Sequence, residues 1–179
     1  MTSGPAISEI IVPLDGSELS AHALVPACTI ARHLDLNMRV LSFHPPSADG
    51  EELRQVIDGQ LEEAGGISPT VEIAPLESSV AEQLEPVLSD APDALIVMST
   101  RGRGHSAALL GSVANEILVT FHRPVVLVGP NCDPSTFSTN GRMIVAADES
   151  PGTRAVLDLA ADVLSLFDYD ARVVNVLDL

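Results

Sequence analysis

The chain has 179 residues, of which 46% are hydrophobic, 19% charged and only 3% aromatic, and this composition predicts a globular protein with a core of Val, Leu, Ile and Ala. Its formal net charge of −16 repels anionic partners, so we expect it to bind neither nucleic acid nor a membrane surface. All nine basic residues are arginines, and the lack of lysine excludes a P-loop and Schiff-base chemistry.

Short apolar segments alternate with amphipathic segments over residues 7–130, which predicts one α/β domain. In chain order the predicted elements are a strand at 10–14, a helix at 18–36, a strand at 39–43, a helix at 51–64, a strand at 70–76, a helix at 79–89, a strand at 94–98, a glycine-containing loop, a helix through Val113 and Phe121, and a strand at 124–129. This alternation predicts a mostly parallel sheet with helices on both faces. Ligands of such sheets bind at the carboxyl ends of the strands. We therefore expect a site after Leu14, Phe43 and Met98.

A predicted linker and a repeat follow the predicted domain. Residues 131–141 are rich in Pro, Ser, Thr and Asn and predict a linker. Residues 142–179 then align with the first strand–helix–strand segment without a gap, so that Asp148 matches Asp15. The identical pairs are Val12 and Val145, Ser17 and Ser150, Leu24 and Leu157, Asp35 and Asp168, Arg39 and Arg172, and Val40 and Val173. The tail is therefore predicted to be a partial second βαβ copy.

The helix predicted in this tail has an apolar face that must be covered. Ala155, Leu159, Val163 and Leu166 lie at helical spacing, and an isolated two-stranded unit is only marginally stable. We predict that the tail pairs with its counterpart in a homodimer. The alternative is a truncated gene product whose tail packs on its own first domain.

Two glycine patterns overlap in the segment from Ser99 to Leu118. "GRGHSA", beginning at Gly102, fits the G-x-G-x-x-A pattern typical of dinucleotide binding, but it follows the fourth predicted strand rather than the first, and the next strand ends without an acidic residue. The second pattern runs from Gly102 to "GS" at Gly111 and Ser112, where glycine permits close approach of a phosphate and Ser112 is predicted to cap the helix. In a third interpretation the loop is a flexible connection with solvated arginines.

"IIVPLDGSELSAHAL", "IVMSTRGRGHSAALLGSVANEIL" and "RPVVLVGP" together resemble the universal stress protein family over about residues 7–130. The resemblance implies a Rossmann-like five-stranded parallel sheet in the order 3-2-1-4-5, binding of ATP or a similar adenine nucleotide, dimerisation through the last strand and a role in stress survival. The tail resembles the beginning of a second domain, as in tandem members. The family loop has the pattern G-x2-G-x9-G-S/T. Here Ser99 replaces the first glycine, and only residues 103–110 separate Gly102 from Gly111, one fewer than in the pattern.

The resemblance also implies a nucleotide-binding site. Its predicted residues are Pro13, Leu14, Asp15, Phe43, His44, Met98, Ser99, Arg101, Gly102, Arg103, Gly111, Ser112 and Val113. In the family the aspartate lies beside the adenine and ribose, and the main chain at Phe43 and His44 meets the adenine edge. Asp15 ends a strand and precedes Gly16, so it also suits a structural turn. Arg101 and Arg103 give the loop a local positive charge.

Catalytic and metal-binding patterns are missing from the sequence. The histidines form no i, i+4 pair, so we expect no metal held by the protein alone, and any Mg²⁺ would accompany ATP. No Ser–His–Asp order or paired-carboxylate site can be assembled, so we expect no enzyme beyond weak ATP hydrolysis. Cys28 and Cys132 form no CxxC motif and are both predicted to be small buried residues.

The sequence therefore predicts a cytoplasmic, ATP-binding stress-response regulatory protein, because no apolar segment reaches the length of about 18 residues that spans a bilayer and no targeting segment precedes the domain. The first alternative is a protein-interaction module of the same fold that does not bind nucleotide. The second is a Rossmann NAD(P)-binding protein.

Overall fold

The computed structural model describes residues 7–65, 67–102, 110–121, 123–148 and 150–175. The chain forms two compact units, Ile7–Phe137 and a second unit from Ser138 onward. Among the helices in these ranges, none combines the length and the apolar character that are needed to cross a bilayer.

The first unit is a five-stranded parallel sheet with helices on both faces. Its elements are β1 (Glu9–Leu14), α1 (Glu18–Ala21), α2 (Leu24–Leu34), β2 (Asn37–His44), α3 (Gly50–Glu63), β3 (Thr70–Pro75), α4 (Val80–Asp90), β4 (Leu95–Ser99), α5 (Ser112–Thr120) and β5 (Val125–Val128), followed by a 3-10 turn at Pro134–Thr136. The strands lie in the order β3-β2-β1-β4-β5, and every adjacent pair is parallel. This confirms the predicted fold class and strand order.

Both faces of the sheet are buried, which explains why the central strands are continuous apolar runs. On one face Ile11 and Leu41 pack with Leu84 of α4 and Ile117 of α5. The opposite face carries Val12, which is completely buried, and is covered by α2 on β1, β2 and β4 and by α3 on β2 and β3. The carboxyl ends of β1 and β4 lie side by side in the middle of the sheet, where a parallel sheet of this order binds ligands.

The single helix predicted over residues 18–36 is wrong, because the structure has two helices there. α1 ends at Ala21 and α2 begins at Leu24. Pro26 lies in the first turn of α2 and has no N–H to donate to the carbonyl of His22, so a continuous helix would lose that hydrogen bond. The proline is tolerated because the first turn of a helix has no intrahelical partner for its N–H groups.

The second unit contains two parallel strands and one helix. They are β6 (Asn140–Ala147), α6 (Thr153–Leu166) and β7 (Asp168–Asn175). β6 begins two residues before the predicted start of the repeat at Arg142. The pairing of Ile144 with Arg172 matches that of Ile11 with Arg39, so β6–β7 has the register that the sequence alignment with β1–β2 requires.

Candidate functional site

A cavity of about 360 Å³ opens at the carboxyl ends of β1 and β4. A cavity of this size falls within the range of small-molecule sites. It is lined by Pro13, Leu14, Asp15, Ser20, Leu41, Phe43, Val80, Met98, Ser99, Thr100, Arg101, Gly102, Gly111, Ser112, Val113 and Ala114. The lining comes from the end of β1, from α1, from the second half of β2, from the start of α4, from the end of β4 with the segment after it, and from the start of α5.

The structure brings together the predicted site residues with two exceptions. Arg103 lies outside the described residues. His44 does not line the cavity: its carbonyl accepts a hydrogen bond from the N–H of Leu76 at 2.8 Å, and its Nδ1 lies 2.9 Å from the carbonyl oxygen of Pro45. The main chain of His44 is thus engaged with the segment after β3, whereas Phe43 reaches the cavity.

Asp15 forms the turn that leads from β1 into α1. Its Oδ1 accepts hydrogen bonds from the Ser17 N–H at 2.9 Å and from the Ser17 hydroxyl at 2.6 Å. Its own N–H donates to Oγ of Ser20 at 3.4 Å, and Gln60 of α3 donates to the carbonyls of Gly16 and Ser17. The turn function of Asp15 is therefore present in the structure, and the same carboxylate lines the cavity.

Gly102 approaches the Asp15 carboxylate very closely. A Cβ atom at position 102 would overlap Oδ2 of Asp15 and lie 3.2 Å from its Cγ. Glycine suits this position because a Cβ atom would overlap Asp15, and not because the backbone adopts a left-handed conformation. A side chain at position 102 would therefore have to displace either the Asp15 carboxylate or the segment after β4.

Gly111 joins the other end of the loop to β4. Its N–H donates to the carbonyl of Thr100 at 2.7 Å, and an added Cβ would lie 3.2 Å from that oxygen. Gly111 is also the N-cap residue of α5, without a side-chain cap hydrogen bond. The prediction that Ser112 caps this helix is wrong, because Ser112 is its first helical residue. The first residues of α5 nevertheless line the cavity, so the N-terminus of the helix and its positive dipole end border it.

Two donors in the cavity wall lack partners within the described part of the chain. They are the Thr100 hydroxyl and Nε of Arg101, both of which are buried atoms without a hydrogen bond. Neighbouring Ser99 is buried, and its Oγ accepts a weak bond from the Arg101 N–H at 3.4 Å. Buried polar groups are normally hydrogen-bonded, so the acceptors for these two donors lie outside the described residues.

Charge in the described lining comes from one arginine, Arg101, and one carboxylate, Asp15. Arg123, the other described arginine of this region, donates to the carbonyl of Ala91 and does not line the cavity. The ranges described contain no cluster of three His, Cys, Asp or Glu side chains that could hold a metal ion.

Sequence reasoning missed several lining residues. Ser20, Leu41, Val80, Thr100 and Ala114 were not predicted. Thr100 could have been found, because it directly follows the end of β4. Val80 is the first residue of α4. It reaches the cavity because α4 packs beside α5, where the Ser79 hydroxyl donates a hydrogen bond to Oε1 of Glu116 at 2.9 Å. No local sequence signal indicates that contact.

Solved structures with the same fold support this architecture. A universal stress protein in complex with cAMP is 23% identical, and the match covers 70% of this chain and 99% of that one with a TM-score of 0.55. Universal stress protein UspA from Lactobacillus plantarum is 19% identical over 68% of this chain and 97% of its own, with a TM-score of 0.51. A functionally unknown protein from Pseudomonas aeruginosa PAO1 is 19% identical, with a TM-score of 0.67, over 96% of this chain and 61% of that chain. No curated protein matches this chain significantly in sequence.

The parallel sheet and its strand-end cavity define a Rossmann-like α/β protein with a ligand-sized cavity on its first unit. The model of the universal stress protein family matches residues 7–129, and the chain belongs to that family. The match ends before the second unit, so the assignment of residues 142–179 as a second family copy stays a prediction.

Proposed function

We propose that the chain binds an adenine nucleotide, ATP, in the cavity of its first unit and acts as a stress-response regulator without chemical turnover. The observation that supports this most directly is the pair of unsatisfied donors, the Thr100 hydroxyl and Nε of Arg101, in the wall beside the N-terminus of α5. Donors, a guanidinium and a helix N-terminus together favour an anionic acceptor such as a phosphate.

The remainder of the lining suits a planar base. Leu41, Phe43, Val80 and Val113 provide apolar surface, and Asp15 provides carboxylate oxygens that accept hydrogen bonds from sugar hydroxyls or an amino group. The proposed nucleotide would thus have its phosphates toward Thr100, Arg101 and Ser112. Mg²⁺, if bound, would be held by the triphosphate.

The cAMP complex of a similar protein supports an adenine nucleotide as the ligand class. ATP itself is proposed from the family resemblance of the loop and its arginines. The position of Ser99 and the shorter loop alter the phosphate end of the site, so AMP and cAMP belong in the same test as ATP.

Calorimetric titration of nucleotide-free protein with ATP, AMP, cAMP and NAD tests the proposal. We expect ATP to bind, and Arg101→Gln to weaken it by about tenfold or more, since a charged hydrogen bond contributes about 1.5–3 kcal/mol. Arg154→Gln is the matched control, because Arg154 is exposed on α6 and pairs with Asp158 rather than lining the cavity. Incubation with ATP, followed by measurement of released phosphate, tests the absence of turnover.

Each alternative function predicts a different result in this titration. Preference for NAD would support the dinucleotide-binding alternative. No heat with any of the four nucleotides would support an interaction module that does not bind nucleotide. Equal effects of Arg101→Gln and Arg154→Gln would contradict the proposed site even if ATP binds.

A further inference from the structure

Ser42 is a buried polar residue within the apolar stretch of β2. It is 1% exposed, and the preceding residues Val40 and Leu41 are buried as well. A hydroxyl in such surroundings is costly unless it is hydrogen-bonded. Oγ of Ser42 donates to the carbonyl of Leu14 at 2.7 Å, across the register that pairs β2 with the end of β1. β2 therefore holds the main chain of the residue that precedes Asp15.

Gln60 holds the main chain on the other side of Asp15. It lies near the end of α3, and its Nε2 donates to the carbonyl of Gly16 at 3.2 Å and, more weakly, to that of Ser17 at 3.4 Å. Gly16 has a φ of +76°, and a glycine rotates so freely that its carbonyl needs a partner to fix its direction. The amide of Gln60 supplies that partner from 44 positions further along the chain.

α3 gives Gln60 a firmly packed base. Leu53, Ile57 and Leu61 of this helix are buried and fix it against the sheet, where it covers β2 and β3. Oε1 of Gln60 makes no hydrogen bond among the described residues, so the polar contacts of this side chain in that part of the chain are the two that it donates to the turn. The position of the turn is thereby linked to that of α3.

Neither Ser42 nor Gln60 lines the cavity, whereas Asp15 between their two contacts does. Within the turn, Oδ1 of Asp15 is oriented by the N–H and the hydroxyl of Ser17. Those bonds are local and fix the shape of the turn. The bonds from β2 and α3 come from other elements, so they fix where the turn lies relative to the sheet. Its placement matters, because the Asp15 carboxylate lies directly against Gly102.

We propose that Ser42 and Gln60 are positioning residues of the nucleotide site, which hold the main chain on both sides of Asp15 so that its carboxylate can accept hydrogen bonds from the nucleotide. This inference rests on the proposed function, because it gives the two residues a role in binding through Asp15. A binding group must be held within about 0.5 Å of its productive position. Loss of either contact therefore weakens binding without removing a group that touches the ligand.

Calorimetric titration of Gln60→Met and Ser42→Ala with ATP tests the proposal. Methionine keeps the length of glutamine but has no donor, and alanine removes only the hydroxyl. We expect each variant to bind ATP about two- to tenfold more weakly, which corresponds to one hydrogen bond between neutral groups. Gln83→Met is the matched control, because Gln83 also joins a helix to a strand end, with a bond to the carbonyl of Pro75 at 3.0 Å, but does not line the cavity. It should leave the affinity unchanged.

A double-mutant cycle with Asp15→Asn distinguishes positioning from a general loss of stability. If Ser42 and Gln60 act through Asp15, their substitutions should weaken ATP binding much less once Asp15→Asn is present. A measurement without ligand accompanies the cycle. Hydrogen exchange of the Ser17 N–H, which donates to Asp15, should become faster in Gln60→Met and Ser42→Ala but not in Gln83→Met.

The possible failures can be told apart. Wild-type binding of ATP that is unchanged in Gln60→Met and Ser42→Ala, or that falls by the same factor with and without Asp15→Asn, would overturn the positioning role and leave the proposed function standing. If Asp15→Asn binds too weakly to titrate, equal Ser17 exchange in Gln60→Met and Gln83→Met would overturn it. A wild type that binds no nucleotide would overturn the proposed function and this inference together.

Discussion

Gly102 lies against the carboxylate of Asp15, with no room for a side chain between the segment after β4 and the turn after β1. This relationship joins two segments that are far apart in the sequence and that both line the cavity. The turn itself is fixed by hydrogen bonds from Ser17 to Oδ1 of Asp15. The geometry of the proposed nucleotide site therefore depends on a glycine whose importance is steric.

Gly102→Ala should destabilise the first unit and weaken ATP binding, because the new methyl group must displace either the loop or Asp15. Such overpacking costs about 1–3 kcal/mol. Urea unfolding followed by circular dichroism measures the stability, and calorimetry measures ATP affinity. Gly129→Ala is the matched control, since a Cβ there would contact nothing within 4 Å. Identical behaviour of the two variants would show that the close approach to Asp15 is unimportant.

Thr100→Val should lower the affinity for ATP without lowering the free energy of unfolding. The valine keeps the shape of threonine but removes a buried hydroxyl without a partner in the described residues, so stability should be kept or raised by up to about 1–2 kcal/mol. ATP affinity should fall by about tenfold because one donor is lost.

Thr29→Val provides the opposite control for this prediction. The Thr29 hydroxyl already donates to the carbonyl of Val25 at 2.8 Å, so its loss should lower stability or leave it unchanged without affecting ATP. If Thr100→Val loses stability and binds ATP normally, the hydroxyl of Thr100 is structural and not part of a ligand site.

The strands of the first unit and the start of α5 could be predicted because their signals are local. β4 is an apolar run that is buried on both faces, and Gly111 directly precedes the apolar helical face of α5. The strand-end rule then placed most of the cavity. The break between α1 and α2 was also encoded locally, by Pro26, but the apolar spacing continued across it and favoured one long helix.

The rest of the site depends on contacts that no local pattern reveals. The proximity of Gly102 to Asp15 and the position of Val80 arise from packing between elements distant in sequence. His44 was expected beside the base by family resemblance, but its carbonyl is used by Leu76 in this chain. Arg103 lies outside the described residues, so its predicted role stays a prediction.

The two cysteines should differ sharply in reactivity. Both were predicted to be buried, which is confirmed for Cys28 and wrong for Cys132, which is exposed. Burial raises the pKa of the Cys28 thiol, and this lowers the fraction of reactive thiolate. We expect an aromatic disulfide reagent to label one thiol per native chain and two in denaturant. Cys132→Ser should remove the fast reaction, and fast labelling that persists in this variant would mean that Cys28 is accessible.

The turn around Asp15 recurs around Asp148 in the second unit. Oδ1 of Asp148 accepts the Ser150 N–H at 3.0 Å, and its N–H donates to the Thr153 hydroxyl at 3.3 Å, as that of Asp15 does to Ser20. A hydrogen bond from the Ser150 side chain is the largest cause that lowers the pKa of Asp148 below its ordinary value, and the Ser150 N–H and the Thr153 side chain lower it further. The folded turn therefore favours the ionised carboxylate.

Ser150→Ala should raise the pKa of Asp148 toward its ordinary value, which an NMR titration of the carboxyl carbon measures. Because the native pKa is the lower one, the ionised turn stabilises the unit above the unfolded pKa, and this contribution is lost as the pH falls through the native pKa. The variant should thus differ from wild type at neutral pH and converge with it in acid. Ser135→Ala is the matched control, since Ser135 makes the equivalent bonds to Asp133 and should move only that pKa. An Asp148 pKa unchanged in Ser150→Ala would mean that this turn does not hold the carboxylate in solution.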